Sequence, residues 1–262
     1  MKNFFRVVAC AILLAGLLPA STIGYFNQGA ANDSEIQAAI TASGNTPIAL
    51  ADLSAGSLSG ISVLWMLNQS NLGYGAIGGS VANLDAFVLA GGALVFNDRY
   101  VAGAAGILPG GAGIVFHRDF TDAANINIVT TGTMVTNGPG GVLTDTSLDN
   151  GNFSSHGFAD LSSLPSGAVP IFSRTDPTQI VDFSYELGSG YVYYSSIPVD
   201  YYLSGFGNAP PRDAMVNTYA PNELAYASNL GIPTATPEPG SFVLAGLGLL
   251  IPAVFRLRKK SC

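Results

Sequence analysis

The sequence predicts an α/β domain with three layers and a mostly parallel sheet, and two observations carry this prediction. Apolar, strand-like runs alternate with helix-like stretches through the first half of the chain, which is typical of a sheet built through helical crossovers. One run, 61–67, is apolar except for Ser62, as in a strand buried on both faces of a parallel sheet. We therefore expect one exported α/β domain over residues 21–230.

The first half supplies the alternation. Asn32 or Asp33 is the predicted start of the first helix, because short polar side chains cap helices and the acidic Glu35 follows in the first turn. Gly91 and Gly92 end the second helix directly before a strand. The predicted strands are 22–27, 46–51, 61–67 and 93–97, and the predicted helices are 33–41 and 81–90.

The second half is richer in turns. A five-residue segment, 186–190, contains two glycines between two apolar runs and predicts a hairpin. A closing helix is predicted over 213–230, with Pro221 marking a kink or a break because proline cannot continue the hydrogen-bond ladder. The predicted strands are 114–116, 126–129, 169–173, 180–185 and 191–195.

The N-terminus has the pattern of a secretory signal peptide. Lys2 and Arg6 precede an apolar run at 7–18, and Ala20 follows a proline as a small residue suited to cleavage. We expect residues 1–20 to be removed after export. An uncleaved anchor is the alternative.

The C-terminus combines an exposed turn, an apolar span and a basic end. Pro237, Glu238 and Pro239 lie in a linker at 231–240, and 241–257 is the predicted transmembrane helix. By the positive-inside rule, the cations that follow leave the tail 258–262 in the cytoplasm and the domain in the periplasm. The cations of this membrane stop are Arg256, Arg258, Lys259 and Lys260.

This order of features resembles the PEP-CTERM sorting tail of bacterial surface proteins. The resemblance implies an exosortase-type membrane protease as partner, an inner-membrane intermediate, and then the cell surface or extracellular matrix as destination. A plain C-terminal anchor without processing is the alternative.

The exported domain is acidic and contains no cysteine. Residues 21–235 hold 16 carboxylates and four arginines, hence a formal charge of −12, and the two cysteines of the chain are Cys10 and Cys262. Such a charge excludes nucleic acid as a partner, and the domain has no disulfide, thiolate metal site or cysteine nucleophile. The sequence predicts no cofactor.

The pattern of elements resembles the flavodoxin-like domain of the class I glutamine amidotransferase superfamily. The similarity rests on the helix end at 87–92 before its strand, on the late pair 188–195 and 197–202, and on the final helix around 222–226. Members that are enzymes carry a cysteine nucleophile at a strand-to-helix turn. Because this domain has none, the resemblance implies a fold without amidotransferase chemistry.

Three residues are pocket candidates. Asp98 and Arg99 come at the carboxyl end of a predicted parallel strand, where open α/β sheets bind ligands, and His117 follows another strand. They could form a polar pocket with His117 as base and Asp98 as its orienting partner. The alternative is ordinary loop ion pairs with an exposed His117.

Two further patterns have weaker implications. Asp145 and Asp149 are calcium candidates because oxygen donors alternate there, although no glutamate closes the loop. Alternation along 191–194 places the tyrosines of that strand on both faces, which predicts core and rim packing more than a sugar-stacking surface.

We therefore expect a surface or matrix protein whose domain is a non-catalytic binding or structural component, with extracellular polysaccharide as a candidate partner. The alternative is an exported hydrolase that acts on a glycan or peptide with carboxylate and histidine chemistry. A third possibility is an all-β, lectin-like sandwich, which requires that 34–41 and 81–90 are not helical.

Overall fold

The computed structural model describes residues 20–28 and 32–230, which belong to one compact unit. The predicted signal peptide up to residue 19, the linker with its Pro-Glu-Pro motif, the transmembrane helix and the basic tail lie outside the described residues. Within the described ranges, no helix has the length and apolarity needed to cross a membrane.

The strands in chain order are β1 Thr22–Gln28, β2 Thr46–Ala49, β3 Val63–Asn68, β4 Ala93–Asp98, β5 Phe116–His117, β6 Asn127–Ile128, β7 Asn137–Gly138, β8 Gly141–Val142, β9 Phe158–Asp160, β10 Val169–Ser173, β11 Gln179–Leu187 and β12 Gly190–Ser195. The helices are α1 Asp33–Ala42, α2 Ala55–Leu58, α3 Gly75–Gly78, α4 Val81–Leu89, α5 Val199–Leu203, α6 Ala209–Ala214 and α7 Ala220–Leu230.

The main sheet has the order β2-β1-β3-β4-β12-β11-β10-β6. The pairs from β2 to β12 are parallel, whereas β11, β10 and β6 extend the sheet with antiparallel pairs. The short strand β9 pairs with β11, and the short strand β5 pairs with β9. The predicted α/β class with a mostly parallel central sheet is confirmed, and the helical α1 and α4 exclude the all-β alternative.

Both faces of the parallel strands are buried. In β3, Val63 and Trp65 belong to the same apolar cluster as residues of α1 and α7, whereas Leu64 and Met66 belong to the cluster that contains α4. Alternation also sends Tyr193 to the first cluster and Tyr194 to the second. The prediction that these tyrosines pack in the core is therefore confirmed.

Two predicted strands are much shorter than expected. Of 114–116 only Phe116 is in β5, and 126–129 is reduced to Asn127–Ile128. Both are antiparallel and each pairs with one short neighbour, β9 or the end of β10. Apolar residues in these loops fill the core without a long ladder, so hydrophobicity alone overestimated their extent.

The closing helix begins four residues earlier than predicted, at Ala209, and includes a π-helical turn at Met215–Tyr219. This turn ends just before Pro221, which cannot donate to the carbonyl four residues earlier. The chain accommodates the proline by widening the helix on its N-terminal side rather than by breaking it, and helix α7 continues to Leu230.

Candidate functional site

The parallel strands end together along one side of the sheet, which we call the carboxyl edge. Strand β1 ends at Gln28, β3 at Asn68 and β4 at Asp98, and loops follow β3 and β4 there. Ligands of open α/β sheets bind at this edge, because the loops diverge and leave a crevice. The polar residues that these loops bring together are therefore the candidates for a binding site.

Asp98 anchors the loop that follows β4. Its buried carboxylate accepts hydrogen bonds from the side chains of Asn68 and Tyr74, both at 2.9 Å, and from the backbone amides of Tyr100 and Val101 at 2.8 and 3.0 Å. Burial raises the pKa of Asp98, and these donors oppose that rise. With both oxygens engaged inside the protein, Asp98 holds the loop in place.

Arg99 and Asp200 form an ion pair beside this anchor. The Nη1 atom of Arg99 lies 3.1 Å from Oδ2 of Asp200, whose side chain is almost fully buried. Burial raises the pKa of Asp200 to about 6, and the charge of Arg99 opposes the rise. The guanidinium of Arg99 also lies 5.6 Å from the centre of the Tyr201 ring.

Two neighbouring cavities share Arg99 and Tyr201 in their walls. The larger, about 560 Å³, is also lined by Asp200 and Phe206, and we call it the Asp200 cavity. The smaller, about 310 Å³, contains His156, and we call it the His156 cavity. A third cavity of about 470 Å³ lies at the opposite edge of the sheet and has no ionisable side chain in its wall.

His156 is a neutral histidine in the wall of its cavity. Its Nδ1 lies 3.0 Å from the carbonyl oxygen of Arg99, and since a carbonyl only accepts, Nδ1 carries the proton and Nε2 is an acceptor. Burial, followed by the positive charge of Arg99, lowers the pKa of His156 to about 4. The rings of Phe120 and Phe153 meet the imidazole edge-on.

His117 lies apart from these two cavities. It is half-exposed on β5, where its Nε2 is 3.1 Å from a carboxylate oxygen of Asp160 and its ring stacks on Phe158. It lines neither the Asp200 cavity nor the His156 cavity. The structure thus brings Asp98 and Arg99 to the carboxyl edge, but it does not place His117 with them in these cavities.

The two calcium candidates, Asp145 and Asp149, accept hydrogen bonds from backbone amides. A carboxylate oxygen of Asp145 accepts from the amide of Ile128 at 2.9 Å, and one of Asp149 accepts from the amide of Ile126 at 2.8 Å. In the described part of the chain, no group of three or more His, Cys, Asp or Glu side chains is arranged to hold a metal ion. The contacts of these two carboxylates fix the backbone at the residue before β6 and at the last residue of β6.

A second polar group lies inside the core, between the sheet and the C-terminal helix. Both Asp182 and Glu223 are completely buried, and no cation of the described residues forms an ion pair with either. The hydroxyls of Tyr193 and Tyr219 each donate to Asp182 over 2.7 Å, and Asn97 donates to Glu223 over 3.1 Å. We call these residues the inner acid network.

Burial acts strongly on these two carboxyls. It raises the pKa of Asp182 to about 7 although both tyrosines oppose it, and it raises that of Glu223 far above its ordinary value, with a further contribution from the charge of Asp182. The π-helical turn contributes Tyr219 to the network, so this irregularity has a definite structural consequence. The sequence signal for the network was a lone aspartate within the apolar run of β11.

A family model matches the C-terminal tail, whereas the similar solved structures resemble the domain. Residues 235–259 match the model of the PEP-CTERM protein-sorting motif. The motif marks an exported protein that is sorted to the cell surface through a membrane intermediate, with processing by exosortase, a membrane protease. Among curated proteins, none matches the sequence.

Solved structures resemble the domain only distantly. A cytoplasmic protein from Salmonella typhimurium is 10% identical with a TM-score of 0.48, covering 79% of this chain and 98% of its own. A GMP synthase-like protein from Thermoplasma acidophilum is 10% identical with a TM-score of 0.45, covering 81% and 98%. A cold-adapted β-galactosidase from Rahnella sp. R3 is 16% identical with a TM-score of 0.48, covering 89% of this chain but 35% of the enzyme. These similarities carry no argument about function.

The inner acid network predicts a pH-dependent stability. Well below pH 4, Asp182 is protonated in the folded and unfolded states. As the pH rises towards 7 the unfolded chain ionises first, so Asp182 lowers the free energy of unfolding by on the order of 4 kcal/mol. Asp182→Asn should reduce this fall, because an amide does not ionise. The variant should still fold, because the amide oxygen can accept from the two tyrosine hydroxyls. Urea unfolding between pH 4 and 8, followed by the fluorescence of buried Trp65, measures it.

Asp213→Asn, which changes an exposed helical carboxylate, is the control and should keep the wild-type slope. The lowered pKa of His156 contributes in the opposite direction over the same pH range, so the comparison of wild type with Asp182→Asn isolates the contribution of Asp182. An Asp182→Asn variant whose stability has the wild-type slope with pH would contradict the burial argument.

Proposed function

We propose that the exported domain, residues 21–230, is a non-catalytic module that binds extracellular polysaccharide through the carboxyl edge of its sheet. In this proposal the domain has a flavodoxin-like fold of the glutamine amidotransferase type without the catalytic cysteine. It faces the periplasm while the tail holds it in the inner membrane, and it reaches the surface or the matrix after processing. Sorting by the PEP-CTERM motif supports the extracellular setting.

The observation that carries the proposal is the position of the exposed aromatic side chains. In the described residues three phenylalanines are exposed, Phe120, Phe153 and Phe206, by 42, 47 and 59%. All three line the two cavities of the carboxyl edge. Exposed apolar side chains that cluster in one region often mark an interaction site, and Phe120 and Phe153 are in edge-to-face contact. Flat rings suit the C–H faces of sugar rings, which stack on them.

The polar groups in the same walls suit sugar hydroxyls. Asn32, Gln69 and Ser204 line the Asp200 cavity, and Asn71 and Asn152 line the His156 cavity. Amides and hydroxyls both donate and accept hydrogen bonds, as sugar hydroxyls do. A few polar groups set in a partly aromatic wall are typical of small-molecule binding sites.

The same geometry disfavours the alternative of a hydrolase. Glycoside hydrolysis ordinarily needs two carboxyls that flank the bond, whereas Asp200 is the one carboxyl that lines these two cavities. That group is already paired with Arg99. Asp98 is engaged by donors from the protein, and His117 lies elsewhere.

The sorting part of the proposal predicts a change at the C-terminus. In the producing cells, the mature protein should end near residues 237–240 and be found outside the inner membrane. Glu238→Ala should leave a full-length protein in the membrane fraction, because the protease loses its motif. Mass spectrometry of the two proteins measures this, and a full-length, membrane-retained wild type would mean that the tail is only an anchor.

The binding part predicts that exposed rings carry affinity. Phe206→Ala and Phe120→Ala should each weaken retention on the polysaccharide of the producing cells by about tenfold, as expected for aromatic anchors of an interface. Affinity electrophoresis of the secreted protein measures the retention. Val142→Ala, at an exposed residue of β8, is the control and should leave retention unchanged.

Absence of wild-type retention, or equal retention of all three variants, would reject polysaccharide binding at this edge. Retained near-ultraviolet circular dichroism in each variant would show that loss of binding is not loss of folding.

A further inference from the structure

The arginines of the exported domain are unevenly distributed. Of its four arginines, three surround His156, and the domain has no lysine. Arg99 accepts the His156 hydrogen bond through its carbonyl, Arg118 lines the same cavity, and Arg174 donates to the neighbouring Ser155 over 3.1 Å. The positive charges of all three contribute to the low pKa of His156. Three of the four arginines of an acidic domain therefore lie near one cavity, and two of them, Arg99 and Arg118, line its wall.

Two of these three arginines are already neutralised. Arg99 pairs with Asp200 at 3.1 Å, and the buried Arg174 pairs with Asp119 at 3.4 Å. Among the described ion pairs, none involves Arg118. The positive charge of Arg118 is therefore the one available to a ligand.

Arg118 is held in position while its charge stays exposed. Its Nη2 donates to Oδ1 of Asn71 over 3.2 Å, and its guanidinium carbon lies 5.3 Å from the ring centre of Phe120 and 5.7 Å from that of Tyr100. Stacking on rings and one hydrogen bond restrict the guanidinium but leave other N–H donors unused. Such a preorganised group loses less entropy when it binds a ligand.

The surroundings of Arg118 suit a singly charged anion attached to an apolar or sugar body. The wall of the His156 cavity contains no carboxylate, and it presents the rings of Phe120 and Phe153 together with the acceptor of neutral His156. The domain's overall negative charge is screened beyond about 10 Å at ordinary ionic strength. A phosphate, with a charge near −2, would need a second free cation.

We propose that the polysaccharide recognised at the carboxyl edge contains uronate residues, and that Arg118 binds their carboxylate. This inference rests on the proposed function and specifies its ligand class. The planar guanidinium and the planar carboxylate pair through two parallel hydrogen bonds. The sugar ring that bears the carboxylate stacks on Phe120 or Phe153, and one of its hydroxyls donates to Nε2 of His156.

The test compares charged sugars with their neutral esters. The full-length protein in detergent micelles is titrated calorimetrically with tetramers of galacturonate, glucuronate and mannuronate, and with the methyl ester of each. Wild type should bind at least one acid tetramer about tenfold more tightly than its ester. Arg118→Gln should lower acid binding to the level of the ester and change ester binding less than twofold.

Arg212→Gln is the matched control, since Arg212 is the remaining arginine of the domain, pairs with Asp213 and lines neither of the two cavities. It should retain the wild-type preference. Equal binding of acid and ester by wild type, an acid preference that survives in Arg118→Gln, or binding of no tetramer in either form would each overturn the inference.

Retention on the polysaccharide of the producing cells separates this failure from failure of the proposed function. A protein that is retained on the native polysaccharide but does not prefer uronate would contradict the uronate inference and leave the proposed function intact. A protein that is neither retained nor prefers uronate would contradict both proposals.

Discussion

The carboxyl edge depends on one buried carboxylate, that of Asp98. It receives donors from the ends and loops of several elements, and with them it fixes the loop in which Val101 adopts the left-handed backbone region, with φ of 60°. Through this loop Arg99 is placed so that its side chain meets Asp200 and its carbonyl meets His156. Without the Asp98 contacts, the shared wall of the two cavities would not be defined.

This arrangement separates the residues that build the site from those offered to a ligand. Asp98 and Arg174 are buried and engaged by the protein, so they determine shape and electrostatics. Phe206 and Arg118 are exposed at the cavities and have free surface to offer. In a catalytic site the acid and the base would be among the groups offered to the ligand, because they must reach the substrate. This division is the reason why we propose recognition rather than catalysis at this edge.

The sequence predicted the parallel strands and the placement of Asp98 and Arg99 because both follow from local pattern, an unbroken apolar run and the residues that end it. It did not predict the partners of those residues. His156 and Arg99 are in contact although 57 residues separate them in the sequence, and Asp200 and Arg99 are in contact across a separation of 101 residues. Local periodicity in the sequence does not predict such pairs. The sorting motif, being linear, needs no fold to be recognised.

Hydrogen exchange of the secreted protein, with and without the polysaccharide of its own cells, tests the location of binding most directly. We predict slower exchange in the segments that contain wall residues of the two cavities, 99–103, 117–123, 150–157 and 200–207, with the opposite edge at 83–92 unchanged. Protection confined to that opposite edge, or to none of the described segments, would contradict binding at the carboxyl edge.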